Sequence, residues 1–267
     1  MADQSETESL AVADGTRARE TRRVVAPIAV LVVAEAAILL QEMVFGLLVH
    51  ATALFVLFGM IALGGYHRVL EALVFVPLLR LLNLGTGIIS FDPFLWLVGV
   101  YTLLLGSLGL VMRGHGIRSV DIGLSLHASR RQWLVAAAGV VIGAVLGVIQ
   151  WLFELESLPV APTVQNAVLS VLVLGVLVGF VEEVLFRGLL QRWLADVVST
   201  RTAIVVVSVL FGFMHSIWFN VGNVAFAFAV SLLMGWLYAR TRVFWSIWAI
   251  HAMINVMAFA VLPLVAG

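Results

Sequence analysis

Nine apolar stretches take up more than two thirds of the chain: residues 24–40, 43–65, 69–89, 94–112, 132–153, 164–186, 202–219, 221–239 and 243–265. Each is close to the roughly 20 helical residues that cross a hydrocarbon core about 30 Å thick. The expected fold is therefore an all-α, polytopic membrane helical bundle of eight or nine spans. The 69–89 stretch departs most from the pattern, since it contains Glu71, Pro77 and Arg80. Composition agrees: 63% of residues are hydrophobic and 11% charged, against about 45–50% and about 25% in soluble domains.

Composition also excludes chemistry. The chain has no cysteine, which rules out disulfides, thiolate metal sites and cysteine nucleophiles. All 15 basic residues are arginine, so Ser–Lys dyads and Schiff-base catalysis are excluded. A formal net charge of zero without basic runs argues against nucleic-acid binding.

Residues 1–23 are polar and of mixed charge, ending in Arg17, Arg19, Arg22 and Arg23. They read as a disordered cytoplasmic tail. A cleaved signal peptide fits less well, because Gln41 and Glu42 follow the first apolar stretch where a small-residue cleavage site belongs. With the N-terminus in the cytoplasm and alternating spans, every arginine except Arg80 falls on or near the cytoplasmic side, as the positive-inside rule expects. The acidic turn Glu154, Glu156 falls outside. The polar loop 113–131 separates N-terminal spans (24–131) from a C-terminal core (132–267). Gly139, Gly143 and Gly147, and likewise Gly175 and Gly179, form small-residue ridges that read as helix-packing surfaces.

Six polar side chains then stand where hydrocarbon should be: Glu182, Glu183 and Arg187 in one span, His215 in another, His251 and Asn255 in the last. Each ionisable group at bilayer depth costs about 2.5–3.5 kcal/mol on insertion scales, so the set reads as functional. Glu183 precedes Arg187 by four residues, the favoured order for a helical ion pair. Glu182, about 100° around the axis, is the carboxylate left for chemistry. His251 and Asn255, also four apart, project from one face. A carboxylate and an imidazole can polarise water as a general base, and a hydrogen-bonding pair can stabilise an oxyanion.

These segments resemble the motifs of the CAAX-processing and bacteriocin-processing (CPBP, formerly Abi) family of intramembrane proteases, which includes the type II CAAX prenyl endopeptidases. EExxxR is present as Glu182, Glu183 and Arg187, FxxxH as Phe211 and His215, and HxxxN as His251 and Asn255. The resemblance covers about residues 130–260. It implies a helical membrane fold with a water-filled polar cavity, in which Glu182 and His215 activate water and His251 with Asn255 stabilises the oxyanion. The implied substrate is a membrane-anchored or lipidated peptide or protein, including prenylated CAAX-type clients, met within membrane lipid. Family members are often labelled metalloproteases. Glu182, His215 and His251 are the residues that a divalent cation such as Zn²⁺ would use, although metal-free catalysis is favoured.

Two other functions remain: a proton-coupled transporter using Glu182 and the histidines as a relay, and a non-catalytic scaffold. Transporters commonly show repeated, broken helices in both halves. No repeat is visible, and the polar residues cluster in the C-terminal half. Glu35, Gln41, Glu42, His50, Glu71 and Arg80 read as pairing among themselves, lining the cavity mouth or snorkelling. His115 and His127 read as solvated loop residues. Trp133, Trp151, Trp193, Trp218, Trp236, Trp245 and Trp248 read as an interfacial belt, and Phe211, Phe213, Phe226 and Phe228 as apolar filling unless they wall the cavity.

Overall fold

A computed structural model describes residues 21, 23–64, 67–88, 92–125, 129–153 and 160–266, with the backbone alone for 84–88. Most of the tail 1–23, His127 and the turn Glu154, Glu156 lie outside the described residues. Among the described residues the fold is entirely helical. The helices are α1 (23–39), α2 (Met43–Gly64), α3 (Arg68–Ile88), α4 (Pro93–Gly114), α5 (Arg130–Leu152), α6 (Val164–Val197), α7 (Thr200–Trp218), α8 (Val221–Thr241) and α9 (Phe244–Ala266). Seven of them are long and apolar enough to cross a membrane. The others are α1, the shortest, and α3, which carries Arg68, Glu71 and Arg80.

Local sequence sets the helix ends. Asp92, Ser129, Thr163, Ser199 and Asn220 each accept a backbone N–H from the first turn of the following helix, satisfying a donor that the helix itself leaves orphaned. Pro93 occupies the first turn of α4, where its missing N–H costs nothing.

Helix α6 runs eleven residues past the apolar stretch that ends at 186. The reason is that its polar residues find partners inside the bundle. Arg187 Nη2 donates to Ser231 Oγ at 2.8 Å, Gln191 Nε2 to the Gly235 carbonyl at 3.0 Å, and Arg192 Nη1 to the Asp121 carbonyl at 2.7 Å. Within α6 the winding widens to π type over Val171–Val178 and Val184–Gln191, leaving a single α-wound segment, Gly179–Glu183, between them. Such widened turns recur at functional sites.

The ridge Gly139, Gly143, Gly147 is buried against α9. A Cβ added at Gly139 would sit 2.6 Å from the Ser246 carbonyl oxygen, and one at Gly147 2.7 Å from that of Ile254. Only glycine lets the two backbones approach so closely, as small-residue ridges do in membranes. This contact fixes α9, and with it His251 and Asn255.

The 115–125 connection seals one end of the bundle. Tyr238 donates to the Ile122 carbonyl at 3.0 Å and Trp245 Nε1 to the Ser125 carbonyl at 2.8 Å. The Arg118 backbone N–H donates to Asp121 Oδ2 at 2.8 Å, which holds that carboxyl below its ordinary range. His115 is not solvated as expected. Its Nε2 lies 2.7 Å from Glu71 Oε2, and its ring meets Trp193 edge-on at 5.2 Å. Trp193 departs from the interfacial belt for the same reason: the ring is buried beneath this connection.

Candidate active site

The α-wound segment Gly179–Glu183 of α6 presents Glu182 and Glu183 in different directions, and the His251 ring on α9 reaches both. His251 Nδ1 lies 2.7 Å from Glu183 Oε1, and Nε2 lies 3.8 Å from Glu182 Oε2. Glu183 Oε1 also accepts from Arg187 Nη1 at 2.8 Å. Glu183 and Arg187 are fully buried. With the carboxylate beside Nδ1, the hydrogen on that nitrogen is donated to Glu183, which orients Nε2 toward Glu182.

Helix α7 stays regular to Phe213 and then tightens, and His215 sits just past this break in the bridge region (φ −91°, ψ 7°), where many active-site residues are found. Its Nδ1 donates to the Phe211 carbonyl at 3.0 Å. Nε2 is thereby the basic nitrogen of the neutral ring. Phe211 joins the three motifs: its ring stands 5.0 Å from that of His215, 5.9 Å from that of His251 and 4.7 Å below the Arg187 guanidinium. It walls the cavity rather than merely filling space.

Asn255 Nδ2 donates to the Leu174 carbonyl at 3.0 Å. That carbonyl belongs to the first widened stretch of α6, so part of the amide ties α9 to α6. Asn255 also lines the cavity.

Glu182, His215, His251 and Asn255 line a common cavity of about 420 Å³, whose walls are otherwise mainly apolar. This is the size and character of a ligand pocket. Three of its polar residues come from the N-terminal half. Tyr101, on α4, donates to Glu182 Oε1 at 2.6 Å, while Asn83 Nδ2 donates to the tyrosine oxygen at 3.4 Å. Arg80 also lines the cavity. It pairs with Glu35 through Nε–Oε1 at 2.8 Å and Nη2–Oε2 at 2.6 Å, and donates to the Met214 carbonyl. Ser216 Oγ donates to Glu35 Oε2 at 2.6 Å, and His50 Nε2 lies 3.2 Å from Glu35 Oε1. The residues on either side of His215 are thus tied to one buried ion pair.

Sequence reasoning set Glu35, His50 and Arg80 aside as mutual partners and passed over Tyr101. One signal was available for Tyr101: it stands mid-span, away from the interface where membrane tyrosines gather.

A divalent cation would need Glu182, His215 and His251 together. Among the described residues no three such side chains converge as a cation-binding set. Glu182 Oε1 accepts from Tyr101 and both imidazole Nδ1 atoms meet oxygen acceptors, so the atoms that an ion would use are Glu182 Oε2 and the two Nε2 atoms.

A helical membrane bundle with carboxylates and imidazoles around an internal cavity defines the class. Residues 164–257 match the family described as Rce1-like, type II CAAX prenyl endopeptidase. That stretch carries all three motifs, and its similarity supports a CAAX protease family assignment. Comparison with curated proteins and with solved structures gave no match.

Proposed function

We propose that the protein is an intramembrane endopeptidase that hydrolyses a peptide bond by metal-free activation of water. The observation that supports this best is the His251 ring, set between Glu183 and Glu182 on the wall of a cavity shared with His215. Tyr101 holds one oxygen of Glu182, leaving Oε2 to take a proton from water. His215 Nε2 accepts a hydrogen bond from the same water and aligns it.

The resulting hydroxide adds to the scissile carbonyl. His251 in its doubly protonated form, which keeps both ring hydrogens throughout, and the second N–H of Asn255 then donate to the developing oxyanion. Collapse of the tetrahedral intermediate breaks the C–N bond. The proton carried by Glu182 passes to the departing nitrogen, and the new carboxylic acid gives its own proton to the amine, leaving a carboxylate and an ammonium group as products. Glu183 and Arg187 keep the imidazole in place without touching substrate. The mainly apolar walls suit a membrane-anchored or lipidated peptide, prenylated CAAX-type clients among them. The N-terminus lies in the cytoplasm.

The test compares membrane peptides from cells expressing the wild type and Glu182→Gln. Loss of a general base removes about 10²–10⁴-fold of rate, so the variant should accumulate uncleaved substrate at normal protein levels. Identical peptide profiles, with the wild type active on no client, would overturn the proposal.

A further inference from the structure

We propose that the attacking water is drawn from a separate polar chamber beside His215 and His251, where Gln150 and Asn223 hold it while the peptide occupies the main cavity. The inference rests on the proteolytic reading for the fate of the water, but the chamber stands without it.

Phe211 and His215 on α7, with His251 and Asn255 on α9, line two cavities at once. The larger takes other parts of its wall from α3, α4 and α6. The smaller, of about 30 Å³, is completed by Gln150 on α5 and by Asn223, Ala227 and Met234 on α8. The shared side chains therefore form a partition, with α3, α4 and α6 on one side and α5 and α8 on the other. Size decides what the chamber can hold. A water needs about 10–15 Å³ of such space, so there is room for about two waters and none for a peptide. Polarity agrees with size. Gln150 and Asn223 are 4% and 1% exposed, and each amide carries an acceptor oxygen and a doubly donating nitrogen. A buried water makes about three hydrogen bonds, which two amides and an imidazole can supply. Asn223 Nδ2 also donates to the His215 carbonyl at 3.4 Å, so one wall of the chamber is fastened to the backbone of the histidine that aligns the water.

A separate store answers a difficulty of the main cavity. Its walls are mainly apolar, and a peptide that fills them expels poorly ordered water. Glu182 must nevertheless meet a water with the substrate in place. The following stretch of α6 presents no wetted surface, since every residue from Glu183 to Gln191 is buried, as are Trp193 and Leu194. The chamber keeps its water because polar partners surround it and the substrate does not enter. From there a water passes between the two imidazoles to Glu182 Oε2 and His215 Nε2. Gln150 and Asn223 lie outside the three motifs and touch water rather than substrate. They are positioning residues.

The test joins a structure of the purified protein, at a resolution that shows water, to steady-state kinetics on a cleavable membrane reporter. About one or two waters bonded to Gln150 and Asn223 are expected, and a dry chamber overturns the proposal. Gln150→Met keeps the side-chain length and removes its polar head. It should clear the chamber of ordered water and lower kcat by about 10²-fold, the loss that comes from misplacing a reacting group, with KM and the unfolding midpoint unchanged. An unchanged kcat, or a raised KM at constant kcat, overturns the proposal. Should Gln150→Met also lower the midpoint, Ala227→Leu decides, because it leaves both amides in place and fills the chamber with carbon. A fall in kcat at constant KM is expected there, and full activity with the chamber filled overturns the proposal. A wild type that cuts no reporter refutes the proteolytic reading and the supply route together, whereas ordered water between the two amides still establishes the site.

Discussion

The side chains of Glu182 and Glu183 leave α6 about 100° apart, yet one imidazole lies within reach of both. A ring with nitrogens on two sides can do this where a single-headed side chain cannot. Glu183 has no exposure, and Arg187 is its permanently charged partner. Removing one member of a buried ion pair costs about 3–5 kcal/mol, because the other is left uncompensated. Arg187→Ala should therefore lower the thermal unfolding midpoint in detergent markedly, and an unshifted midpoint would contradict the pairing. Tyr101→Phe deletes a single hydroxyl from Glu182. Hydrogen bonds to charged groups contribute about 1.5–3 kcal/mol, so kcat should fall about ten- to hundredfold. KM should stay unchanged, as steady-state kinetics on a cleavable reporter would show. An equal rise in KM with constant kcat would place Tyr101 in substrate binding instead.

Helices carry these residues to one place through backbone features that hydropathy only partly reveals. The small-residue ridge of α5 was legible as a packing face, and the structure supplies its partner, α9. At Gly143 an added Cβ would collide with the Ile250 carbonyl oxygen and approach Met253 Cβ to 2.8 Å. Overpacking of this kind costs about 1–3 kcal/mol. Gly143→Val should push α9 outward, separating His251 from Glu183, and both activity and the unfolding midpoint should fall. Retention of full activity would mean that α9 is positioned by other contacts. Two local features were not legible. The widened turns of α6 carry no residue signature, since Val171–Val178 reads as uniform apolar helix. The tightening after Phe213 was hidden because FGFMHS continues the hydrophobic run without a proline.

On the scale of the whole molecule, the motifs pointed to the polar groups that line the cavity because polar residues in hydrocarbon are conspicuous and stand at helical spacing. The contribution of α1, α3 and α4 could not be read in the same way. Glu35 and Arg80 are 45 residues apart, and nothing in either helix specifies the other. A phenol in an apolar span costs too little to stand out. The matched stretch, residues 164–257, therefore lacks Tyr101 and the ion pair that flanks His215. A chain beginning at residue 160 should have no activity alone, and co-expression with residues 1–153 should restore cleavage of a membrane reporter. Activity of the C-terminal piece by itself would show that the front helices only shelter the site.

The packed block from Glu183 to Leu194 has a consequence for the cell that hosts it. Hydrolysis needs water in the middle of an insulating sheet, and a continuous wet path would short-circuit any ion gradient across it. The buried aromatic and aliphatic residues of that block interrupt such a path beside the cavity. Water can then reach the cavity without bridging the sheet, and abundant expression should leave the membrane potential undisturbed.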